Sequence, residues 1–289
     1  MTAITGAKST NIEIADIDLS TPRRLTWAMA ITAIEYKLLR DLRRALLLPK
    51  NPHVIEFGEA NWYGDVPKAM LFKDLDELMP DAAARAATKS ELEALFARHD
   101  GGDEDALFAI ARVFYGTFLE PASWTAVDMG GTERALKLDL NRPIDLGRTF
   151  DIVLNFGTAE HIFDVAQFFR TVHSVARPGA WMIHACPFWG WLDHGFWNIQ
   201  PTVYVDLAQA NSYRVRGMFL AQINPPRLVQ MRGREHILEM GQDRQLGENA
   251  VYIAVLQKPE TEATFQVPMQ GYYAGALSDA AAQLWGKLR

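Results

Sequence analysis

Histidines and carboxylates recur where this chain could move a proton. Glu160-His161 follows the run Phe150-Asp-Ile-Val-Leu-Asn-Phe-Gly157, His184 ends an apolar run before Ala185-Cys186-Pro187, and His194 lies in Leu192-Asp-His-Gly195. An imidazole, with an ordinary pKa of about 6.5, exchanges a proton near neutrality. A carboxylate beside it orients the ring and stabilises its charged form. His161, His184 and Glu160 are therefore the candidate catalytic groups, suited to taking a proton from a hydroxyl or amine. Neighbours in sequence do not face one another on a helix, so Glu160 serves a ligand or a helix N-terminus as readily as it serves His161. His161 and His184 read equally well as packed or hydrogen-bonded structural residues.

A second set of acids stands at the ends of short apolar runs. Glu56 precedes Phe57-Gly58 after Val54-Ile55, Asp128 and Met129 follow Trp124 to Val127, and Asp139-Leu140 follow Ala135 to Leu138. Asn155-Phe156-Gly157 closes a fourth run. The carboxyl ends of parallel strands are where an open α/β sheet binds its ligand, and an acid there can hold a ribose. Any one of these acids alone reads as well as a turn or helix cap. The ligand reading requires Glu56, Asp128 and Asp139 to line one crevice.

The elements that must position these groups follow from periodicity. Strands are expected over Val54–Phe57, Trp124–Val127, Ala135–Leu138, Phe150–Leu154, Ala180–Ala185, Tyr213–Ile223 and Ala250–Leu256. Helices are expected over Pro22–Leu48, opened by Ser20-Thr21-Pro22, and over Glu160–Ala176, Tyr204–Asn211 and Ala276–Leu288. Residues 1–20 lack a helical period and read as an arm. Roughly 65 residues separate the first two strands, far more than one crossover helix needs. That stretch carries amphipathic patterns at Ala69–Leu78, Lys89–Phe96 and Glu104–Phe118, a helical insertion expected over the ligand cleft. The last two strands, with little but a loop between them, are expected at an antiparallel edge. The expected fold class is α/β, a doubly wound and mostly parallel sheet with an N-terminal helix and the insertion after the first strand. The organisation is an arm and helix at 1–50, a main domain at 51–260 with its insertion at 66–120, and a C-terminal extension at 261–289.

From Asn51 to Lys258 the order of features resembles the class I S-adenosylmethionine-dependent methyltransferases. Glu56-Phe-Gly58 resembles the family's first motif, Val127-Asp128 its ribose-holding acid, and Leu138-Asp139-Leu140 its acid near the adenine. Phe150 to His161 resembles the fourth-strand motif with its acid–histidine pair, and Arg177-Pro-Gly-Ala180 the turn before the fifth strand. The resemblance implies a Rossmann-like sheet and S-adenosyl-L-methionine as cofactor, held by Glu56, Phe57, Gly58, Asp128, Met129, Asp139, Leu140, Asn155, Phe156 and Gly157. It implies methyl transfer to a small-molecule acceptor, with oxygen favoured by the histidines. Where the family continues with further glycines, Glu59-Ala-Asn-Trp-Tyr63 stands here, so Trp62 is expected to close over the cofactor instead. A non-catalytic binding protein on the same fold and an N-methyltransferase acting by proximity are the alternatives. The full glycine turn of a nicotinamide enzyme is absent.

The segment Pro187 to Pro201 packs Phe188, Trp189, Trp191, Phe196 and Trp197 between glycines, which suits neither a regular strand nor a helix face. It is expected either to wall the acceptor pocket, with Trp189, Trp191, His194, Trp197 and Asn198 contacting substrate, or to plug the loop onto the core. No strong metal-ligand spacing occurs, and no metal is expected. A net charge of -6 argues against a nucleic-acid partner. The small basic clusters Arg23-Arg24 and Arg40 to Arg44 read as solvated faces. Cys186, the single cysteine, fits a reducing compartment, and without a signal-peptide pattern or an ~18-residue apolar run the expectation is a cytoplasmic chain with no membrane span. The first and last helices are candidates for lid or homodimer contacts.

Overall fold

The computed structural model describes residues 30–222 and 227–287. The expected arm, the Ser20-Thr21-Pro22 cap, Arg23-Arg24 and the opening turns of the Pro22–Leu48 helix lie outside the described residues.

Two short strands, β1 (Ala30–Ile31) and β3 (Asn61–Trp62), pair in parallel. Seven strands form the main sheet. From edge to edge they are β4 (Ser123–Val127), β2 (His53–Phe57), β5 (Phe150–Phe156), β6 (Ala176–Trp189), β9 (Ala250–Gln257), β7 (Arg214–Gln222) and β8 (Arg227–Gln230). The ladders β2–β4, β2–β5 and β5–β6 are parallel. The ladders β6–β9, β9–β7 and β7–β8 are antiparallel. The sheet is thus mixed rather than mostly parallel. Antiparallel neighbours can be joined by a tight connection, whereas parallel ones need a crossover of a dozen or more residues. The chain from β7 into β8 is that short.

The strand expected over Ala135–Leu138 is reduced to a single bridge between Val127 and Leu136. Asp139 turns the chain by accepting from the backbone N–H of Asn141 at 2.9 Å, and Pro143 offers no N–H to extend a ladder. The connection expected as a loop before β9 contains β8 and helix α7 (Arg234–Gln242).

Side chains alternate across the strands and divide the core into two layers. Val54, Ile152, Leu154, Ile183, Ile253 and Val255 face one layer. It is completed by α1 (Ala33–Arg44), α2 (Lys68–Leu78), α3 (Ala82–Asp100) and α4 (Asp105–Phe118). Ile55, Phe57, Val153, Met182, Leu220 and Ala254 face the other. It is covered by α5 (Val165–Val175), α6 (Pro201–Ala210) and α7. A last helix, α8 (Asp279–Lys287), packs on α7.

Helix α1 starts where its sequence allows it to cap itself. The Thr32 side chain accepts from the N–H of Ile34 at 3.2 Å, and Glu35 reaches back to the N–H of Thr32 at 3.1 Å. This reciprocal box satisfies two amides left open by the helix geometry. Arg40 and Arg44, expected on a solvated face, instead grip the buried Asp74 of α2 at 3.5 and 2.8 Å, and the Tyr36 hydroxyl donates to Asp74 at 2.6 Å. No helix among the described residues is long and apolar enough to cross a membrane.

Candidate active site

Strand β2 has β4 on one side and β5 on the other, so the chain reverses direction across the sheet at the carboxyl end of β2. Such a switch point opens a crevice for ligands. Gly58 and Gly157 end β2 and β5 with φ of +85° and +84°, a backbone region that favours glycine. The Gly58 N–H donates to the carbonyl of Val127 at 2.8 Å, and the Thr158 hydroxyl donates to the carbonyl of Phe57 at 2.5 Å, tying the three strand ends together.

The acids at these ends do not share one crevice, so the expected convergence of Glu56, Asp128 and Asp139 on one ligand does not occur, and Asp128 alone is left at the switch point to meet a nucleoside. Asp128 is at the switch point and accepts from the N–H groups of Glu59 at 2.9 Å and Gly130 at 2.7 Å. Glu56 faces the insertion layer instead, buried, accepting from the Trp124 indole at 3.0 Å and the Ala60 N–H at 3.4 Å. Burial pushes its carboxyl up to about 8, against the lowering effect of those two bonds. Asp139 stands apart in its own exposed turn, where Asn141 and Arg142 hold its carboxyl below the usual range. Glu59, absent from the sequence expectation, is the acid that knits the loops: it accepts from the Thr132 N–H at 2.6 Å and hydroxyl at 2.9 Å, and from Arg112 at 3.3 Å. Met129 is exposed, and Phe57 and Leu140 are core residues. Trp62 does not close over a crevice. It is buried on the insertion side against Tyr36 and Phe114, with ring centroids 5.9 and 5.7 Å away, because β3 pairs with β1 and turns the indole inward.

Beyond Gly157 the chain makes a short 3-10 turn, Ala159–His161, in place of the first turns of the expected Glu160–Ala176 helix. Asn155 builds that turn. Its side-chain oxygen accepts from the N–H groups of Thr158 at 3.2 Å and Ala159 at 3.1 Å, while its amide nitrogen lies 3.1 Å from His184 Nδ1 and 3.2 Å from the Cys186 sulfur. His184 is removed from the set of candidate bases. It is buried between Phe169 and Tyr204, and burial lowers its pKa to about 3, so it stays neutral in the core.

A cavity of about 90 Å³ opens above β5 and β6. It is lined by Phe156, Gly157, Glu160, His161, Trp191 and His194, and by Thr32, Glu35 and Tyr63 from the other side. The insertion 66–120 contributes no lining residue to this cavity; its Arg112, Tyr115 and Gly116 line a separate one of about 430 Å³ with Glu59 and Trp124. Glu160 is fully buried. The His161 ring lies 4.9 Å from that of His194, which is 5.1 Å from Trp191. Burial lowers the pKa of His161, opposed by Glu160 and aided by His194. Buried Glu35 has a raised pKa, mainly through desolvation. Glu35, Thr32 and Tyr63 escaped the sequence reading, although Thr32-Ala-Ile-Glu35 carries the capping-box signature that would have placed the helix start there.

The aromatic segment divides. The N–H groups of Phe196 and Trp197 donate to the Glu160 carbonyl at 2.8 and 3.2 Å, pressing the loop onto the turn. A side chain at Gly195 would lie 2.9 Å from that carbonyl. Trp191 and His194 face the cavity, Trp191 being fixed by its indole to the Ala250 carbonyl at 3.0 Å. Trp189 faces a different, larger cavity of about 650 Å³ bounded by α6, α7 and α8. Trp197 and Asn198 brace the loop through the Ile162 carbonyl at 3.0 Å and the Gly190 carbonyl at 3.1 Å.

No protein-family model matches the chain, and no curated protein sequence matches it. Among solved structures, one from work on converting a disulfide bond into a thioacetal group during echinomycin biosynthesis is similar at 12% identity, over 87% of this chain and 86% of that one, with a TM-score of 0.36. Another is the Burkholderia thailandensis 1,6-didemethyltoxoflavin-N1-methyltransferase with bound 1,6-didemethyltoxoflavin and S-adenosylhomocysteine. It is 14% identical, over 66% of this chain and 87% of that one, with a TM-score of 0.26. At such scores the functional reading rests on the site itself.

Proposed function

We propose that this chain is an S-adenosylmethionine-dependent methyltransferase acting on an oxygen of a small-molecule acceptor, on a Rossmann-like sheet whose far edge is antiparallel. The observation that carries this is the lining of the cavity beside Gly157. Its carboxyl groups are the buried Glu35 and Glu160, its rings are Tyr63, Phe156, Trp191, His161 and His194, and among the described residues no lysine or arginine lines it. A sulfonium cation is favoured by nearby negative charge and by aromatic faces.

The groups for the nucleoside are Asp128 and Gly58, which lie outside the cavity at the ends of β4 and β2. Asp128 accepts two backbone N–H bonds, and a carboxylate offers about four lone-pair sites, which leaves acceptors for two ribose hydroxyls. Gly58 and Gly157 let the backbone come close to a nucleoside. The cavity of about 90 Å³ is placed to take the methyl end of the cofactor. The cofactor, when bound, supplies an activated methyl group. The protein's part is to place the acceptor in line and to take its proton, and His161 and His194 are the imidazoles at the cavity for that task.

Calorimetry with S-adenosylmethionine and S-adenosylhomocysteine tests the reading. Wild type is expected to bind both, and Asp128→Ala to weaken binding at least tenfold. A folded wild type that binds neither overturns it. A second reading, a binding protein without turnover, is favoured by Glu59, whose side chain fills and ties the loop where the family has glycine. Binding of the cofactor without methylation of any hydroxyl or amine acceptor offered would support that reading.

A further inference from the structure

We propose that Glu160, His161 and His194 form a binding site for a divalent first-row transition-metal ion such as Zn²⁺. One ligand atom from each of the three side chains lies within 4.8 Å of the other two. The second observation is independent of that spacing. Both carboxylate oxygens of Glu160 are buried with no partner at hydrogen-bond geometry among the described residues, and the neighbour that bears on them, the Cys186 thiol, is a weak donor. The nearest imidazole nitrogen, His194 Nε2, is 3.8 Å from Oε1, beyond hydrogen-bond reach. An isolated buried carboxylate is costly unless it is paired or coordinates a metal. An ion bound about 2.0–2.1 Å from an imidazole nitrogen and a carboxylate oxygen would draw the 3.8 Å pair together to roughly 3.0–3.4 Å.

The surrounding chain holds the three ligands with little freedom. Glu160 and His161 sit on the 3-10 turn that Asn155 caps. The loop carrying His194 is clamped to the same turn through the Glu160 carbonyl, at a point where only glycine fits. Two imidazoles and one carboxylate suit zinc, iron, cobalt or manganese better than magnesium or calcium, which take oxygen donors. Three protein ligands leave a coordination position for an exogenous group, as catalytic rather than structural sites do. All three residues line the cavity, so that position faces it. An acceptor hydroxyl bound there would lose its proton more readily, and with the ion in place His161 and His194 would serve as its ligands rather than as proton acceptors. That last role rests on the methyl-transfer reading; the metal site does not.

The test is a titration of tag-free, chelator-treated full-length protein with Zn²⁺ in the absence of any methyl donor, read by calorimetry and by metal content after dialysis. Co²⁺ is added separately for its visible absorption. Wild type is expected to retain one Zn²⁺ per chain with micromolar or tighter affinity and to give a Co²⁺ spectrum of mixed nitrogen and oxygen ligation. Affinity is expected to fall at least 100-fold in His194→Ala and in His161→Ala, and Mg²⁺ should not compete. His194 lies on a loop, so His194→Gln provides a second variant with little packing change, and circular dichroism checks the fold. The exposed His53→Ala should bind like wild type. Substoichiometric binding, or equal affinity in wild type and the His194 variants, overturns the proposal. Because no donor is present, failure here leaves the methyltransferase reading intact, and failure to bind S-adenosylmethionine leaves the metal site intact.

Discussion

Glu56→Gln should remove a pH-dependent loss of stability that is built into the end of β2. The Glu56 carboxyl is buried, and desolvation raises its pKa from 4.5 to about 8, outweighing the Trp124 and Ala60 bonds that favour the anion. In the unfolded chain the same group ionises near 4.5. Between these two values the unfolded state gives up the proton while the folded state keeps it. Stability therefore falls as pH rises through the window and levels off above about 8. Each unit of difference is worth about 1.4 kcal/mol, so between pH 5 and 8.5 the wild type should lose on the order of 4 kcal/mol from this group. Glutamine keeps the shape and still accepts from the Trp124 indole, and it has no proton to lose. Urea unfolding of both proteins from pH 5 to 8.5 isolates the term, because other titrating groups cancel in the difference. Glu56→Gln should gain steadily on wild type across that range. A difference that stays constant with pH, within about 0.5 kcal/mol, would refute the assignment of Glu56 as a protonated core residue.

Two further variants probe the loops around the site. Thr32→Ala removes one half of the capping box that starts α1 and should cost about 1 kcal/mol in chemical unfolding; no change would mean that the reciprocal bonds contribute nothing net. A methyl group at Gly131 would lie 2.8 Å from the Glu59 carboxylate and 3.0 Å from the Asp128 side chain, so Gly131→Ala should lower stability by about 1–3 kcal/mol and weaken S-adenosylhomocysteine binding together. A wild-type melting temperature and affinity would show that the Glu59–Thr132 contact is not part of the site.

Much of the fold is legible along the chain. Val54–Phe57, Trp124–Val127 and Phe150–Leu154 lie within observed strands, and the patterns at Ala69–Leu78 and Glu104–Phe118 nearly coincide with α2 and α4. These are local properties: short apolar runs between turn residues, helical spacing, and glycines at strand ends. The pairing Glu160-His161 and the loop holding His194 also stand out by residue type alone. The direction in which each side chain points does not. Glu56 and Asp128 end adjacent strands with the same signature, yet one is buried among the insertion helices and the other meets the switch-point loops, because successive residues of a strand face opposite sides and only packing decides which side is the crevice. Asp139 lost its expected place when its strand shrank to one bridge. The cavity joins Thr32, Glu35 and Tyr63 to residues more than ninety positions away, so no window of sequence contains it. Sequence by itself determined where most of the strands and helices form, though not β8, α7 or the turn at Ala159–His161; tertiary structure alone decided which acids lie exposed, which lie buried, and which meet a histidine, since charge and burial depend on neighbours that only folding brings within a few ångströms.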